Sequence, residues 1–342
     1  MSTFLFFAFF IFTISLMHYV SLWQCFGNGT LFLKILPLLL SCALVFLLSV
    51  VRNYNGPGAV FVFFLTYIWL GGIFFWFCSA LVFILLKICH LNIPAYFSLI
   101  ITAVLTIISV WNAAKEPVIK YVEITNPKIK KPVLIAQVSD THLGKNIKPI
   151  RLKKLFDTIK TNKPDMIVFT GDIFEEQKNM QPYIDLFKEL DAPCGKYAVS
   201  GNHEYYGGLA ANKQLFKQAG LTDLDNKTTE TCGLILNGVS DIPDNNFLDS
   251  LKKNEKFNIL LMHQPNDFEK LAPKIDLILS GHAHAGQIWP FSYLVALRYK
   301  HYRGLYTIGE SNLYVNQGTF YWGPPMRLFT NNEITLIKLN EK

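Results

Sequence analysis

The sequence predicts a membrane part of four apolar helices followed by an α/β domain of stacked mixed sheets covered by helices. Three observations carry that reading. The first 112 residues contain no Asp or Glu and only three of the 32 Lys and Arg, namely Lys34, Arg52 and Lys87. From residue 133 onward, short apolar β runs alternate with helical periods and then give way to β alone. Most of those β runs also end in a polar cluster, which is where open α/β sheets gather their ligands.

In the membrane part, apolar stretches at residues 3–23, 31–51, 59–86 and 92–111 reach the roughly 20 residues that a helix needs to cross the hydrocarbon core. Gly27-Asn28-Gly29, the run from Arg52 to Gly58, and Lys87 to His90 separate them. The third is long enough to tilt, and Gly71-Gly72 marks an expected kink. No Lys or Arg precedes the first stretch and no small-residue cleavage pattern follows it, so it reads as a span and not as a removed signal. Asn28-Gly29-Thr30 matches a glycosylation acceptor and is taken as a chance match. The spans carry no charge network of the kind that transport requires, which leaves an anchor or a wall for a lipid-facing site.

Four spans put both ends of the part on one side. That side holds Arg52 and the group Lys115, Lys120, Lys128, Lys130 and Lys131, against Lys87 and Lys34 on the other, so the positive-inside bias places the following domain in the cytoplasm. Of six Cys, only Cys194 and Cys232 lie in that domain and no paired framework is visible, which fits a reducing compartment. Residues 113–132 are basic and Pro-interrupted and are expected to be a juxtamembrane linker suited to anionic head groups.

Within the domain, 133–342, strands are expected at 133–138, 166–169, 196–199, 234–236, 259–262 and 275–279, and helices at 147–161, 182–190 and 212–219. After Arg303 the pattern is all strand, at 304–308, 313–315, 326–329 and 334–339. About 210 residues are most simply one domain, without internal repeats.

The polar clusters at the strand ends are Ser139-Asp140-Thr141-His142, Thr170-Gly171-Asp172, Ser200-Gly201-Asn202-His203-Glu204, Met262-His263-Gln264-Pro265 and Ser280-Gly281-His282-Ala283-His284. Gly171, Gly201 and Gly281 are expected to permit tight turns that direct the next side chain inward. Asp140, His142, Asp172, Asn202, His203, His263, His282 and His284 then converge, taking five of the eight His in the chain. Mixed oxygen and nitrogen donors of this kind suit divalent Mn, Fe, Zn or Co. The donors outnumber what one ion needs, and two ions sharing a bridging carboxylate account for the surplus.

Asp-x-His, Gly-Asp, Gly-Asn-His-Glu, a lone His and Gly-His-x-His, in that order across about residues 133–340, resemble the calcineurin-like metallophosphoesterases. Gly201–Tyr206, Gly281–Gln287 and the tail from Pro324 to Ile334 are most similar to the membrane-associated bacterial branch, with Ala283 and Ala285 in place of its usual Thr and Gly, and Phe174-Glu175 where an aliphatic-Asp pair is common. The resemblance implies a four-layer α-β-β-α sandwich in a bacterial inner membrane protein. It implies one metal on Asp140, His142, Asp172 and His284, and a second on Asp172, Asn202, His263 and His282, with Asp172 bridging. His203 becomes the catalytic imidazole, stabilising phosphoryl charge or protonating the leaving oxygen. Glu204 and Gln287 are candidates to orient the ligands from behind. His301 and Tyr302 are read as structural or substrate-side.

The aromatic, basic loop Trp289-Pro290-Phe291-Ser292-Tyr293-Leu294, with Leu297, Arg298, Tyr299 and Lys300 beyond, suits an anionic amphiphile, such as a lipid-linked phosphodiester or pyrophosphate or a nucleotide-sugar lipid. UDP-2,3-diacylglucosamine pyrophosphatases belong to the resembled superfamily. The rival readings are a membrane scaffold with a relict phosphoesterase fold, which predicts a lost ligand, and a nuclease, which the small basic excess after residue 112 disfavours.

Overall fold

The computed structural model describes residues 3–27, 30–54, 56 and 58–342 and divides into two compact units. The acceptor match at Asn28-Gly29 and parts of the first two interhelical breaks lie outside the described residues. One unit is Met1–Ala114 with Gly323–Leu328, and the other is Lys115–Trp322 with Phe329–Lys342.

The first unit consists of α1 (Thr3–Phe26), α2 (Leu31–Asn53), α3 (Ala59–Ile88) and α4 (Tyr96–Ala114), all four long and apolar enough to cross a membrane. Their outward faces carry exposed Phe9, Phe12, Phe46, Leu85 and Ile107. Polar side chains turn inward and are paired there: His18 with Ser41 and Trp69, Gln24 with Ser98, and Ser79 with Thr102. Such pairing holds helices together where the surrounding solvent is itself apolar. The expected kink at Gly71-Gly72 gives way to one continuous helix. Gly71 instead leaves space for the Met326 sulfur, which a Cβ would overlap. The Arg327 amide donates to the Ser109 carbonyl in the same unit. Residues 326–329 are therefore not the expected strand.

The second unit is built on two six-stranded sheets. Its strands are β1 (Val118–Thr125), β2 (Val133–Val138), β3 (Met166–Thr170), β4 (Lys196–Val199), β5 (Thr222–Asp223), β6 (Lys227–Thr231), β7 (Leu234–Gly238), β8 (Asn258–Leu261), β9 (Leu277–Ser280), β10 (Gly304–Ile308), β11 (Ser311–Val315) and β12 (Glu333–Asn340). Its helices are α5 (Pro149–Asn162), α6 (Gln181–Glu189), α7 (Asn202–Gly207), α8 (Leu209–Gln218), α9 (Asn245–Ser250), α10 (Phe268–Leu271) and α11 (Phe291–Arg298). One sheet runs β1-β12-β2-β3-β4-β5 and the other β10-β11-β9-β8-β7-β6. Strands β2 to β5 are mutually parallel, as are β7, β8, β9 and β11.

Strand alternation makes the layers. Ile135, Met166, Val168 and Val199 of one sheet meet Leu236, Ile259, Leu261, Leu277 and Leu279 of the other in a shared core. The opposite faces are covered by helices: Phe169 packs with Phe187, which meets Phe156 of α5 edge-on, while Leu260, Ile278, Leu313 and Val315 pack with Leu248, Phe268 and Leu271. The result is the four-layer α-β-β-α sandwich, which follows the four apolar helices in the chain.

The stretch 113–132, read from sequence as a linker, contains β1, paired in parallel along all of its length with β12. Only Val122 and Ile124 are buried in it, so an edge position with one covered face left too little apolar alternation to reveal the strand. Cys194 and Cys232 are joined as a disulfide with a Cα separation of 5.8 Å. Cysteine usage therefore no longer supports a reducing compartment, since disulfides persist where the surroundings are oxidising.

Candidate metal centre

Loops leaving the C-terminal ends of β2, β3 and β4 in one sheet and β8 and β9 in the other bring all eight candidate residues to one end of the sandwich. Gln137, fully buried, donates to the Thr170 hydroxyl at 3.1 Å and the Ser280 carbonyl at 2.9 Å, tying the two sheets beneath this end.

Candidate ligand atoms lie within 4.8 Å of one another in three groups: Asp140, His142 and His284; His142, Asp172 and His203; Asp172, His263 and His282. His263 donates Nδ1–H to the Thr170 carbonyl at 2.8 Å, which leaves the Nε2 lone pair facing inward. That nitrogen is 3.1 Å from His282 Nδ1 and 3.2 Å from both Asn202 Oδ1 and Asp172 Oδ2. On the other side His142 Nδ1 pairs with Glu175 Oε2 at 3.0 Å, and its Nε2 stands 3.2 Å from His284 Nε2. His284 Nε2 is 3.4 Å from Asp140 Oδ1. Lone pairs turned on one another at such distances repel unless a cation lies among them, so the donor set fits divalent metal on both sides of Asp172.

The electrostatics agree. With protein charges alone, burial disfavours the His263 cation, yet Asp172 and Asp140 outweigh it and push the imidazole up to about 10. Burial, reinforced by that neighbouring charge, holds His282 down to about 3. A bound cation would take over the positive charge that the proton on His263 otherwise provides.

Asp140, His142, Asp172, His282 and His284 all have left-handed backbones, with φ of 55°, 42°, 53°, 67° and 46°. Asp and His tolerate that region better than most residues, but it still carries strain. Backbone contacts hold it: Asp140 N–H to the Gly171 carbonyl at 3.1 Å, His142 N–H to the Asp172 carbonyl at 3.0 Å, and His282 N–H to Asp140 Oδ2 at 3.0 Å. Of the three glycines expected to make the turns, only Gly171 has a positive φ, 91°. Gly281 and Gly201 serve by lacking a Cβ, which would strike Ser139 Oγ and Asp140 at one and Asp172 Oδ1 at the other.

Glu204 is fully buried and accepts four backbone N–H groups, from Asp172 (2.9 Å), Ile173 (2.7 Å), Phe174 (3.1 Å) and Gly201 (2.7 Å). It therefore fixes the turns that carry Asp172 and Asn202. Burial and the Asp172 charge push its pKa up to about 7, against the pull of those donors. The Gln287 side chain clamps Trp322, donating to the carbonyl at 2.9 Å and accepting from the amide at 3.0 Å. The Trp322 ring lies edge-on, 5.4 Å from His203. His301 is buried between Phe268 and Tyr306 and is structural.

Two residues not singled out from sequence stand directly behind the cluster. Glu175 Oε2 is shared by His142 Nδ1 and, at 2.7 Å, His203 Nδ1. Burial works against its charge, but hydrogen bonds from these two imidazoles hold its carboxyl down to about 2. His203 in turn is raised despite burial, by its hydrogen bond to Glu175 and by the Asp172 charge. Tyr299 Oη lies 2.7 Å from His282 Nε2 and 3.3 Å from Gln264 Oε1, and Gln264 donates to Asp241 at 2.7 Å. Glu175 is three residues past Asp172, and in the sequence it shows only as a departure from a family pattern. Tyr299 has no spacing signal at all.

A two-sheet sandwich whose strand ends converge on nested His, Asp and Asn donors defines a metal-dependent hydrolase. Residues 133–286 match the family model of the calcineurin-like phosphoesterases. An uncharacterized metallophosphoesterase of Campylobacter jejuni is 35% identical over 266 residues, covering 72% of this chain and 69% of its own length. A zebrafish (Danio rerio) relative named transmembrane protein with metallophosphoesterase domain is 30% identical over 271 residues, covering 71% of this chain and 62% of its own. Among solved structures, the 5'-nucleotidase precursor of Thermus thermophilus is 14% identical with a TM-score of 0.37, over 61% of this chain and 55% of that one. The chain belongs to the calcineurin-like phosphoesterases, metal-dependent hydrolases of phosphoester bonds. Its four apolar helices and its transmembrane-named relatives mark it as a membrane protein.

Proposed function

We propose that the chain is a membrane-anchored phosphoesterase with two divalent cations, Mn, Fe, Zn or Co, that hydrolyses a phosphodiester or pyrophosphate carried on a lipid or a nucleotide-sugar lipid. The observation that carries this is the pair of donor groups on either side of Asp172, each with inward-facing imidazole nitrogens. Asp140, His142, His284 and Asp172 would hold one cation, and Asp172, Asn202, His263 and His282 the other. Cations held by these residues would supply an activated water and neutralise charge on the phosphoryl oxygens.

The protein's own groups do the rest. His203 presents Nε2 beside Asp172, 3.9 Å from Oδ2, while Glu175 fixes its Nδ1–H. It donates a hydrogen bond to the phosphoryl group and a proton to the leaving oxygen. Glu204 keeps the Asp172 and Asn202 turns rigid, and the Trp322 indole restricts the approach to His203. The lipid-linked substrate is favoured by the exposed aromatic and aliphatic side chains that follow the last metal motif.

The test is hydrolysis of bis-p-nitrophenyl phosphate, p-nitrophenyl phosphate and a nucleotide-sugar lipid by the full-length protein, with Mn and with chelator. Activity with Mn that chelator removes is expected. No activity with any metal, and no metal in the purified protein, would sink the reading. For orientation we keep the cytoplasmic side of a bacterial inner membrane that the basic residues favour. The Cys194–Cys232 bond counts against that side, so alkylation of acid-quenched cells decides it: labelling of all six cysteines would show the pair reduced and the domain in the cytoplasm. Labelling of Cys25, Cys42, Cys78 and Cys89 alone would put the domain on the opposite, oxidising side.

A further inference from the structure

The segment expected to be an aromatic loop is the helix α11, and it is built inside out. None of its residues is buried. Phe291, Leu294 and Leu297, at i, i+3 and i+6, form one exposed stripe with Tyr293 beside it, and Leu297 is 85% exposed. A helix on a water-facing surface carries polar side chains in those positions. The apolar face extends beyond the helix, because Trp289 packs edge-on against Phe329, itself 72% exposed, with 5.8 Å between ring centroids. Arg298, Lys300 and Arg303 follow, Lys300 paired with Glu269, and no Asp or Glu occurs in the sequence from Leu277 to Gly309.

We propose that α11, with Trp289 and Phe329, is an interfacial anchor that lies in the head-group layer of the bilayer and so presents the metal cluster to phosphoesters at the membrane surface. Two features select a bilayer as occupant. The composition is aliphatic and aromatic on the outward stripe with cations at one end, the pattern that binds anionic lipid surfaces. The same chain supplies four helices able to cross a membrane. The anchor is rigidly joined to the chemistry. Gly286 lies so close to the Ser292 backbone that a Cβ would overlap it, and Tyr299, next after α11, bonds to His282 at 2.7 Å.

The docking claim stands alone, whereas its consequence for substrate choice rests on the phosphoesterase reading, and the test separates them. Full-length protein with p-benzoylphenylalanine in place of Leu297 is irradiated in nanodiscs of phosphatidylethanolamine and phosphatidylglycerol. A lipid adduct on the peptide containing position 297 is expected. Adducts only to protein, from the same or a second chain, or none while the same probe at Phe12 captures lipid, would overturn docking. The triple variant Phe291→Asp, Leu294→Asp, Leu297→Asp is then compared with the parent chain. The ratio of nucleotide-sugar lipid hydrolysis in nanodiscs to bis-p-nitrophenyl phosphate turnover should fall by about tenfold or more. Equal losses on both substrates, or no loss on the lipid, would overturn the substrate consequence. If the parent chain hydrolyses neither compound, it is the phosphoesterase reading that fails, and the lipid adduct still decides docking.

Discussion

The His142 side of the metal cluster leans on a carboxylate, whereas the His263 side leans on neutral oxygen. Behind His142 and His203 stands Glu175, bonded to both at 3.0 and 2.7 Å. Behind His263 is the Thr170 carbonyl, and behind His282 the Tyr299 hydroxyl. An imidazole that donates to a carboxylate is the more basic ligand and the more firmly oriented one. If Asp172 is shared between two cations as proposed, the one held by Asp140, His142 and His284 should bind more tightly, and the other should exchange more readily.

The most severe way to break this comparison is to remove what the two sides share. Asp172→Asn keeps the size of the side chain but takes away its charge. Its Oδ1 still can accept from the His203 amide, now at 2.9 Å, so local folding should survive. Turnover should fall on the order of 10³-fold, the several kcal/mol that paired cations contribute. Metal analysis of the purified variant should show both sites depleted. Unchanged turnover would refute the bridging role.

The sandwich and the eight converging residues were legible because their signals are local. Short apolar β runs, each closing on Asp, Asn or His within a few residues, need no knowledge of distant partners. What stayed hidden depends on long-range geometry. Glu175 acquires its role only when β2 and α7 deliver His142 and His203 to the same carboxylate. Tyr299 reaches His282 by way of an intervening helix, and α11 reads from sequence as an aromatic loop because its apolar residues do not point to a core. Cys194 and Cys232 are 38 residues apart, and nothing in their spacing announces a bond. The fate of residues 323–328, adjoining the catalytic sheets in sequence but belonging to the helical unit, is likewise invisible to periodicity.

A gentler perturbation tests the stronger side. Glu175→Gln retains a hydrogen-bond acceptor but removes the charge, and should lower kcat by about 10–100-fold, the usual cost of losing a carboxylate behind a ligand histidine. It also has a pH signature. Glu175 helps to raise the His203 pKa, so the His203 proton is retained below that raised value and lost as pH climbs through it. Without the carboxylate the pKa drops, and the alkaline limb of kcat/KM should move to lower pH. A limb that stays in place while kcat falls would mean that Glu175 acts only through His142.

The smallest expected effect sharpens the contrast most. Tyr299→Phe removes a neutral hydroxyl from His282 and leaves the ring, which packs at 5.2 Å from the imidazole, in place. Hydrogen bonds between neutral groups are lost, to His282 at 2.7 Å and to Gln264 at 3.3 Å, each worth about 0.5–1.5 kcal/mol, so turnover at saturating Mn, where the metals stay bound, should fall by no more than about tenfold. The loss should instead appear in affinity. Titration of the metal-free protein should show the weaker of two Mn binding steps displaced to higher concentration and the tighter step unmoved. Glu175→Gln should displace the tighter step. If Tyr299→Phe weakens both steps equally, the two cradles are energetically one unit and the asymmetry of their backing has no consequence for the metals.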